Sequence, residues 1–134
     1  FFRDHAVREN GILKAEPDST EVCQYYAFFF GIATPERNGE LFETLLHKFG
    51  PERNRDTDYP EIAPANAFIG NYLRLEILMR AGFKEKVLKN IVGFFGYMAN
   101  KTGTLWENID TSASCNHCFA SYVICWLEKL KNTI

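Results

Sequence analysis

The sequence has no long apolar run. Its longest, Tyr25 to Ala33, falls well short of the ~20 residues that a membrane-spanning helix needs, so no membrane span is expected. It also lacks a block of one charge sign. Seventeen acidic and fifteen basic residues leave a formal net charge of −2, which gives nucleic acid or an anionic membrane no electrostatic footing. Cysteine is scarce and poorly spaced for a disulfide scaffold. There are four, and Cys115, Cys118 and Cys125 crowd one short stretch, so the sequence leaves their redox state open. Proline is missing from the whole second half, the last being Pro64. Strand-like alternation never exceeds a few residues, and no close internal repeat exists. A Ser-His-Asp set, a phosphate-binding glycine loop and a helical metal pair are all absent, so neither metal nor other cofactor is expected. The chain opens Phe1-Phe2-Arg3-Asp4, with no initiating Met, apolar signal segment or cleavage site, and reads as the interior of a longer protein.

What is present is a globular composition. The 134 residues suit one domain, 1–134, and the 46% hydrophobic and 24% charged fractions exclude a disordered tail. Aromatic residues reach 15%, with twelve Phe, six Tyr and two Trp, which implies a core of large rings, a ring-lined pocket, or both.

The apolar period is helical almost throughout. A first helix is expected from about Ser19 to Thr34, capped by Asp18, Ser19 or Thr20 and stopped by Pro35; its apolar residues point in every direction, as in a helix enclosed by others. A second, amphipathic helix falls between about Pro35 and Phe49, and Gly50-Pro51 ends it. Glu52 to Tyr59 has no apolar pattern and reads as a solvated loop. Helix resumes after Pro60 and Pro64 and runs to Gly82, then again from Phe83 to Asn100. After an aperiodic link, Lys101 to Ser114, a last helix covers about Asn116 to Lys131. The class is all-α. Short Pro or Gly joints imply antiparallel helical hairpins, and alternation of all-round and one-sided apolar helices suits two layers, as in an α/α toroid.

The aperiodic link holds the richest chemistry. Trp106 beside Glu107 offers a flat apolar face next to a carboxylate, which matches the C–H faces and hydroxyl rim of a sugar. A large indole also disfavours a neighbouring charge by desolvation, which suits acid–base work. The plainer alternative is a packed Trp and a solvated Glu. His117, in the first turn of the last helix, meets the positive end of the helix dipole, and a neutral imidazole there both donates and accepts a hydrogen bond. The plainer alternative is a surface His at a helix start. Ser112, Ser114 and Asn116 are ordinary capping residues. Cys115-Asn-His-Cys118 admits a thiol–disulfide role, but no strand enters it and no proline follows it. A zinc site on Cys115, His117 and Cys118 lacks a second cluster. Positions 115, 118, 122 and 125 fall on one helical stripe, where Cys acts as a small buried hydrophobe. Glu21 suits the first turn of a helix, and Asp58 and Glu61 beside Tyr59 allow a second ligand-facing loop.

Four stretches occur in a familiar order: Thr20-Glu21-Val-Cys-Gln24-Tyr-Tyr-Ala-Phe-Phe-Phe-Gly-Ile-Ala, Phe68-Ile-Gly-Asn-Tyr-Leu, Gly103-Thr-Leu-Trp-Glu107 and Ser114-Cys-Asn-His117-Cys-Phe-Ala-Ser121. Together they resemble the C-terminal part of the catalytic domain of bacterial α-L-rhamnosidase-like glycoside hydrolases, six-hairpin glycosidases with an (α/α)6 barrel. The resemblance spans about Phe1 to Leu130. It implies an inverting enzyme that removes terminal α-L-rhamnose, with Glu107 as general base, His117 lining the sugar pocket, Trp106 shaping the site and Asn116 supporting it. Cys118 departs from the Gly or aromatic ring expected at its position. The family's general acid lies in an earlier acidic loop that is not in this sequence, so the remainder of the polypeptide is expected to supply it and to complete the barrel; the isolated chain is then expected to be inactive. The resemblance also implies a periplasmic or extracellular location, on which the residues themselves are silent. Two other classes stay open: a non-catalytic six-hairpin carbohydrate-binding or helical interaction module, and, more distantly, a CxxC thiol–disulfide protein.

Overall fold

A computed structural model describes residues 7–9, 11–14 and 20–132. The protein is mostly helical, and it divides into two compact units, Phe1–Ala65 and Asn66–Ile134.

In the first unit, strands β1 (Val7–Glu9) and β2 (Ile12–Lys14) form a short antiparallel ribbon, with Val7 opposite Lys14 and Glu9 opposite Ile12. Three residues per strand are too few to produce a readable alternation, which is why the ribbon escapes sequence inspection. Gln24, fully buried on the next helix, bonds the backbone of Leu13 twice: its amide donates to the Leu13 carbonyl at 2.8 Å and accepts from the Leu13 N–H at 3.0 Å.

Helix α1 covers Glu21–Phe29. Thr20 is its N-cap, with Oγ1 accepting from the Cys23 N–H at 3.1 Å. The other candidate caps, Asp18 and Ser19, lie outside the described residues. The helix ends well before Pro35. Gly31 adopts φ +69°, and the Gly31 and Ala33 N–H groups turn back to the carbonyls of Phe28 and Ala27. The expected all-round enclosure also fails. Tyr25, Ala27 and Phe28 are buried, whereas Tyr26 and Phe30 are exposed and stack on each other at 5.9 Å. Helix α2, Gly39–His47, starts after the Pro35 turn and buries Leu41, Phe42, Leu45 and Leu46. The Phe28 and Phe42 rings meet at 5.5 Å.

The stretch read as a solvated loop is mostly exposed, but one side chain organises it. Arg53 points inward, its side chain only 2% exposed, and pairs with Glu21 at 2.7 Å. The same guanidinium donates to the carbonyls of Asp58, Tyr59 and Ile62. Glu21 is therefore more than a first-turn carboxylate: its other oxygen accepts from the Tyr25 hydroxyl at 2.8 Å and the Ala65 N–H at 3.2 Å.

The second unit opens with α3, Phe68–Arg80, four positions later than Pro64 suggested. Helix α4 (Lys84–Ile91), a π-helical segment (Val92–Gly96) and α5 (Tyr97–Thr102) follow without interruption, where the sequence predicts one plain helix. The wide turn contains Gly93 and Gly96, which tie the backbone least to α geometry. Residues 118–123 are a 3-10 segment, Cys118–Val123, and only Ile124–Lys131 is α-helix, here α6. Helix α4 packs against both α3 and α6. Glu76 of α3 joins that packing, accepting from Trp126 Nε1 at 3.1 Å and from Lys129 at 3.4 Å on one oxygen, and from Arg80 at 3.0 Å on the other. Among the described residues, no helix is long and apolar enough to cross a membrane.

Candidate active site

The link between α5 and the 3-10 segment folds back on itself. The Glu107 N–H donates to the Ser114 carbonyl and the His117 N–H to the Leu105 carbonyl, both at 2.8 Å. At the turn, Asp110 accepts from the Ser112 N–H at 3.0 Å and from the Asn66 amide at 3.0 Å. Hydrogen bonds from Ser112 hold the Asp110 carboxyl below its ordinary range. On the other side, the Phe68 N–H at the start of α3 donates to the Glu107 carbonyl at 3.1 Å. Both backbone groups of Glu107 are thus fixed by neighbouring segments.

Trp106 points inward. Its side chain is fully buried, with Nε1 donating to Thr102 Oγ1 at 2.7 Å and the ring edge-to-face with Tyr97 at 6.0 Å. Its neighbour Glu107 differs, with a side chain 43% exposed. The expected sugar-facing indole is corrected here. Buried as it is, Trp106 offers no face to a ligand and anchors the segment instead.

Glu107 and His117 come together. Glu107 Oε2 lies 3.9 Å from His117 Nδ1, with side-chain exposures of 43% and 27%. The Glu107 carboxylate is half open to solvent, so the indole does not enclose it. His117 does not occupy the first turn of an α-helix: it is the residue before the 3-10 segment, with φ −111° and ψ 105°. The strong end-dipole expected there required a regular α-helix, and these six 3-10 residues do not supply one. Two rings flank the imidazole instead, Phe68 at 5.0 Å and Phe119 at 5.8 Å. Asn116 is exposed, and its N–H donates to Ser114 Oγ at 3.3 Å.

The cysteine stripe is also corrected. Cys115 sits outside any helix and Cys118 is exposed, because irregular backbone and a 3-10 turn replace the 3.6-residue period that aligned them. All four cysteines are free thiols. Among the described residues, no three His, Cys, Asp or Glu side chains gather as a metal site. Asp58, read with Glu61 as a possible ligand-facing loop, is tied to Lys48 at 2.9 Å and belongs to the first unit.

Sequence reasoning missed a groove beside His117. Phe68, Tyr72, Phe119, Tyr122 and Ile124 line an almost wholly apolar hollow of about 550 Å³. The Tyr72 hydroxyl is pinned beneath it, donating to the carbonyls of Phe119 and Ala120 at 2.8 and 2.6 Å, and burial pushes this phenol well above its ordinary range. The only sequence signal was the aromatic content of the last helix, which reads equally well as core.

Set beside known proteins, the chain matches no family model, no curated protein and no solved structure.

Proposed function

We propose that this chain is part of an inverting glycoside hydrolase that removes terminal α-L-rhamnose, with Glu107 as the general base. One observation carries the reading: a half-exposed carboxylate held 3.9 Å from an imidazole by segments whose backbones are bonded to each other. In this reaction Glu107 takes a proton from a water as that water attacks the anomeric carbon. His117 hydrogen-bonds a sugar hydroxyl, and Asn116 at the rim supports it. Trp106 acts from beneath, by anchoring the segment that carries Glu107.

Inversion needs a second carboxyl group roughly 6.5–9.5 Å from the base to protonate the leaving oxygen. We assign that acid to the remainder of the polypeptide, together with the hairpins that would complete an (α/α)6 barrel. Twelve helices of ~12 residues with their connections need on the order of 200 residues.

The test is Glu107→Gln in the whole protein. Turnover of an aryl α-L-rhamnoside is expected to fall at least ~100-fold while free rhamnose still binds, because the amide keeps the shape but cannot accept the proton. His117→Ala is expected to weaken rhamnose inhibition more than it slows turnover. Full hydrolysis by the Gln variant removes Glu107 from the mechanism. Rhamnose binding by a wild-type protein that never turns over points instead to a non-catalytic carbohydrate-binding module.

A further inference from the structure

The chain leaves Glu107, makes a turn, and comes back to the Glu107 N–H at the Ser114 carbonyl. The Glu107 carbonyl accepts from the Phe68 N–H and the Ile109 N–H donates to the Asn66 carbonyl, both at 3.1 Å, so two backbone rungs tie Glu107–Ile109 to the segment that leads into α3. The next rung is made of side chains: the Asn66 amide donates to Asp110 Oδ2 at 3.0 Å. The other oxygen, Oδ1, accepts from the Ser112 N–H at 3.0 Å across Thr111, a β-branched residue held at φ +64°. Such a backbone is unfavourable for threonine and persists only where its surroundings fix it. Asn66 is committed as well. Its Oδ1 is buried with no hydrogen-bond partner among the described residues, and turning the amide to relieve it would set that oxygen against a carboxylate. Asp110 itself is exposed, so packing does not account for it.

We infer that Asp110 is a positioning residue for Glu107: its two carboxylate oxygens lock the turn to Asn66 and so hold the root of the turn, from which the Glu107 carboxylate projects. This rests on the reading of Glu107 as the base. Without the Asp110 carboxylate, Thr111 relaxes out of the left-handed region, and the displacement passes back through Ile109 and Asn108 to Glu107. The ties that remain are the backbone bonds and the Asn108 amide, which donates to Ser112 Oγ at 3.1 Å within the turn that moves. A misplacement of about 1 Å at a reacting group lowers a rate by on the order of 100-fold. His117 is held from elsewhere. Its N–H bonds the Leu105 carbonyl and its ring lies against Phe68 and Phe119, so Asp110 acts on the base and not on the imidazole that binds the sugar.

The test compares kcat, KM and rhamnose inhibition in the whole protein, with an aryl α-L-rhamnoside as substrate. Asp110→Ala is expected to lower kcat about tenfold while KM and rhamnose inhibition stay within about twofold of wild type. Asp110→Asn keeps an oxygen for the Ser112 N–H and offers an amide to Asn66, whose own amide then turns to accept it, so kcat stays within about threefold. Asn66→Asp sets two carboxylates against each other and is expected to lower kcat as far as Asp110→Ala does. The exchange, Asn66→Asp with Asp110→Asn, restores the bond and most of kcat. Unchanged kcat in Asp110→Ala beside an inactive Glu107→Gln overturns the positioning role and leaves Glu107 as the base. A loss shared equally by kcat, KM and inhibition also overturns it, because Asp110 then serves folding alone. Failure of both Asp110→Asn and the exchange overturns it too, since charge at position 110 rather than the bond is then required. Full turnover by Glu107→Gln, or a wild type that never hydrolyses rhamnosides, overturns the functional reading and the positioning of its base together.

Discussion

Arg53 and Glu21 stand 32 positions apart, yet their side chains meet at 2.7 Å with exposures of 2% and 1%. The pair closes the Gly50–Ile62 stretch onto the first turn of α1; the other Arg53 hydrogen bonds go to backbone carbonyls of that stretch, and its guanidinium lies 5.4 Å from the centre of the Phe49 ring. Charges this deep are stable only when paired and fully hydrogen-bonded. Arg53→Met leaves the Glu21 carboxylate buried without its counter-charge and takes one donor from each of the Asp58, Tyr59 and Ile62 carbonyls, of which Tyr59 keeps the Ile62 N–H. A loss of about 3–5 kcal/mol is expected in urea unfolding. The double variant Arg53→Met with Glu21→Leu should lose clearly less than the two single losses added together. A single-variant loss below about 1 kcal/mol would show that the loop does not depend on the pair.

The helical content was legible in the sequence, because amphipathic spacing at Leu41, Phe42, Leu45 and Leu46 has one physical solution. Thr20 as a cap was legible for the same local reason. Arg53 was not: nothing in a run of mixed charges says which side chain turns inward, since its partner lies on another element. The end of α1 was misread because proline is a conspicuous stop, while Gly31 stops the chain sooner by reaching a left-handed backbone. In the link, residue type singled out Glu107 and His117, and the structure brings their side chains to 3.9 Å. The burial of Trp106 and the exposure of Phe119 were invisible, because burial depends on what packs around each ring rather than on the ring itself.

The burial of Trp106 separates stability from binding. Trp106→Phe keeps a ring but removes the Nε1 donor, leaving Thr102 Oγ1 without its 2.7 Å partner. A stability loss of about 1–2 kcal/mol is expected, rising to about 3–5 kcal/mol for Trp106→Ala, which also opens a cavity. Because the ring has no solvent-facing surface, Trp106→Phe should leave rhamnose inhibition unchanged once the temperature is kept below its lowered melting point. Calorimetry beside an inhibition curve checks both halves. A large affinity loss with unaltered stability would return Trp106 to the sugar.

Glu76 gives the second unit an acid-sensitive tie. Burial alone would raise its pKa, but hydrogen bonds from Arg80 and Trp126 and the charge of Lys129 outweigh that and lower it from its ordinary 4.5. A carboxylate depressed in the folded state contributes stability that is complete above its unfolded pKa and disappears as pH falls through the folded one. The contribution of Glu76 should therefore be full at neutral pH and decline below about pH 4.5. Glu76→Gln is expected to cost about 1 kcal/mol at pH 7, since Arg80 and Lys129 remain half exposed and screened. It should also flatten the acid limb of a stability–pH curve. Parallel curves for the two proteins down to pH 3 would show that the Trp126 and Lys129 contacts carry no charge-dependent weight.

Two glycines close to each other in sequence predict opposite outcomes. Gly103 ends α5 with φ +76°, and its N–H bonds the Ala99 carbonyl at 2.8 Å, so this turn delivers the chain to Trp106 and Glu107. A Cβ there meets nothing within 4 Å, so the cost of Gly103→Ala is conformational alone, about 1–2 kcal/mol. Gly96 has an ordinary helical backbone, with φ −63° and ψ −38°, and an added Cβ makes only normal contacts at 3.8 to 4.0 Å. Gly96→Ala should therefore stabilise by about 0.5–1 kcal/mol by restricting the unfolded chain. Paired urea titrations decide it. Destabilisation by Gly96→Ala would mean that the π-helical turn requires glycine for its own geometry and that the widened turn is a built feature of the helix.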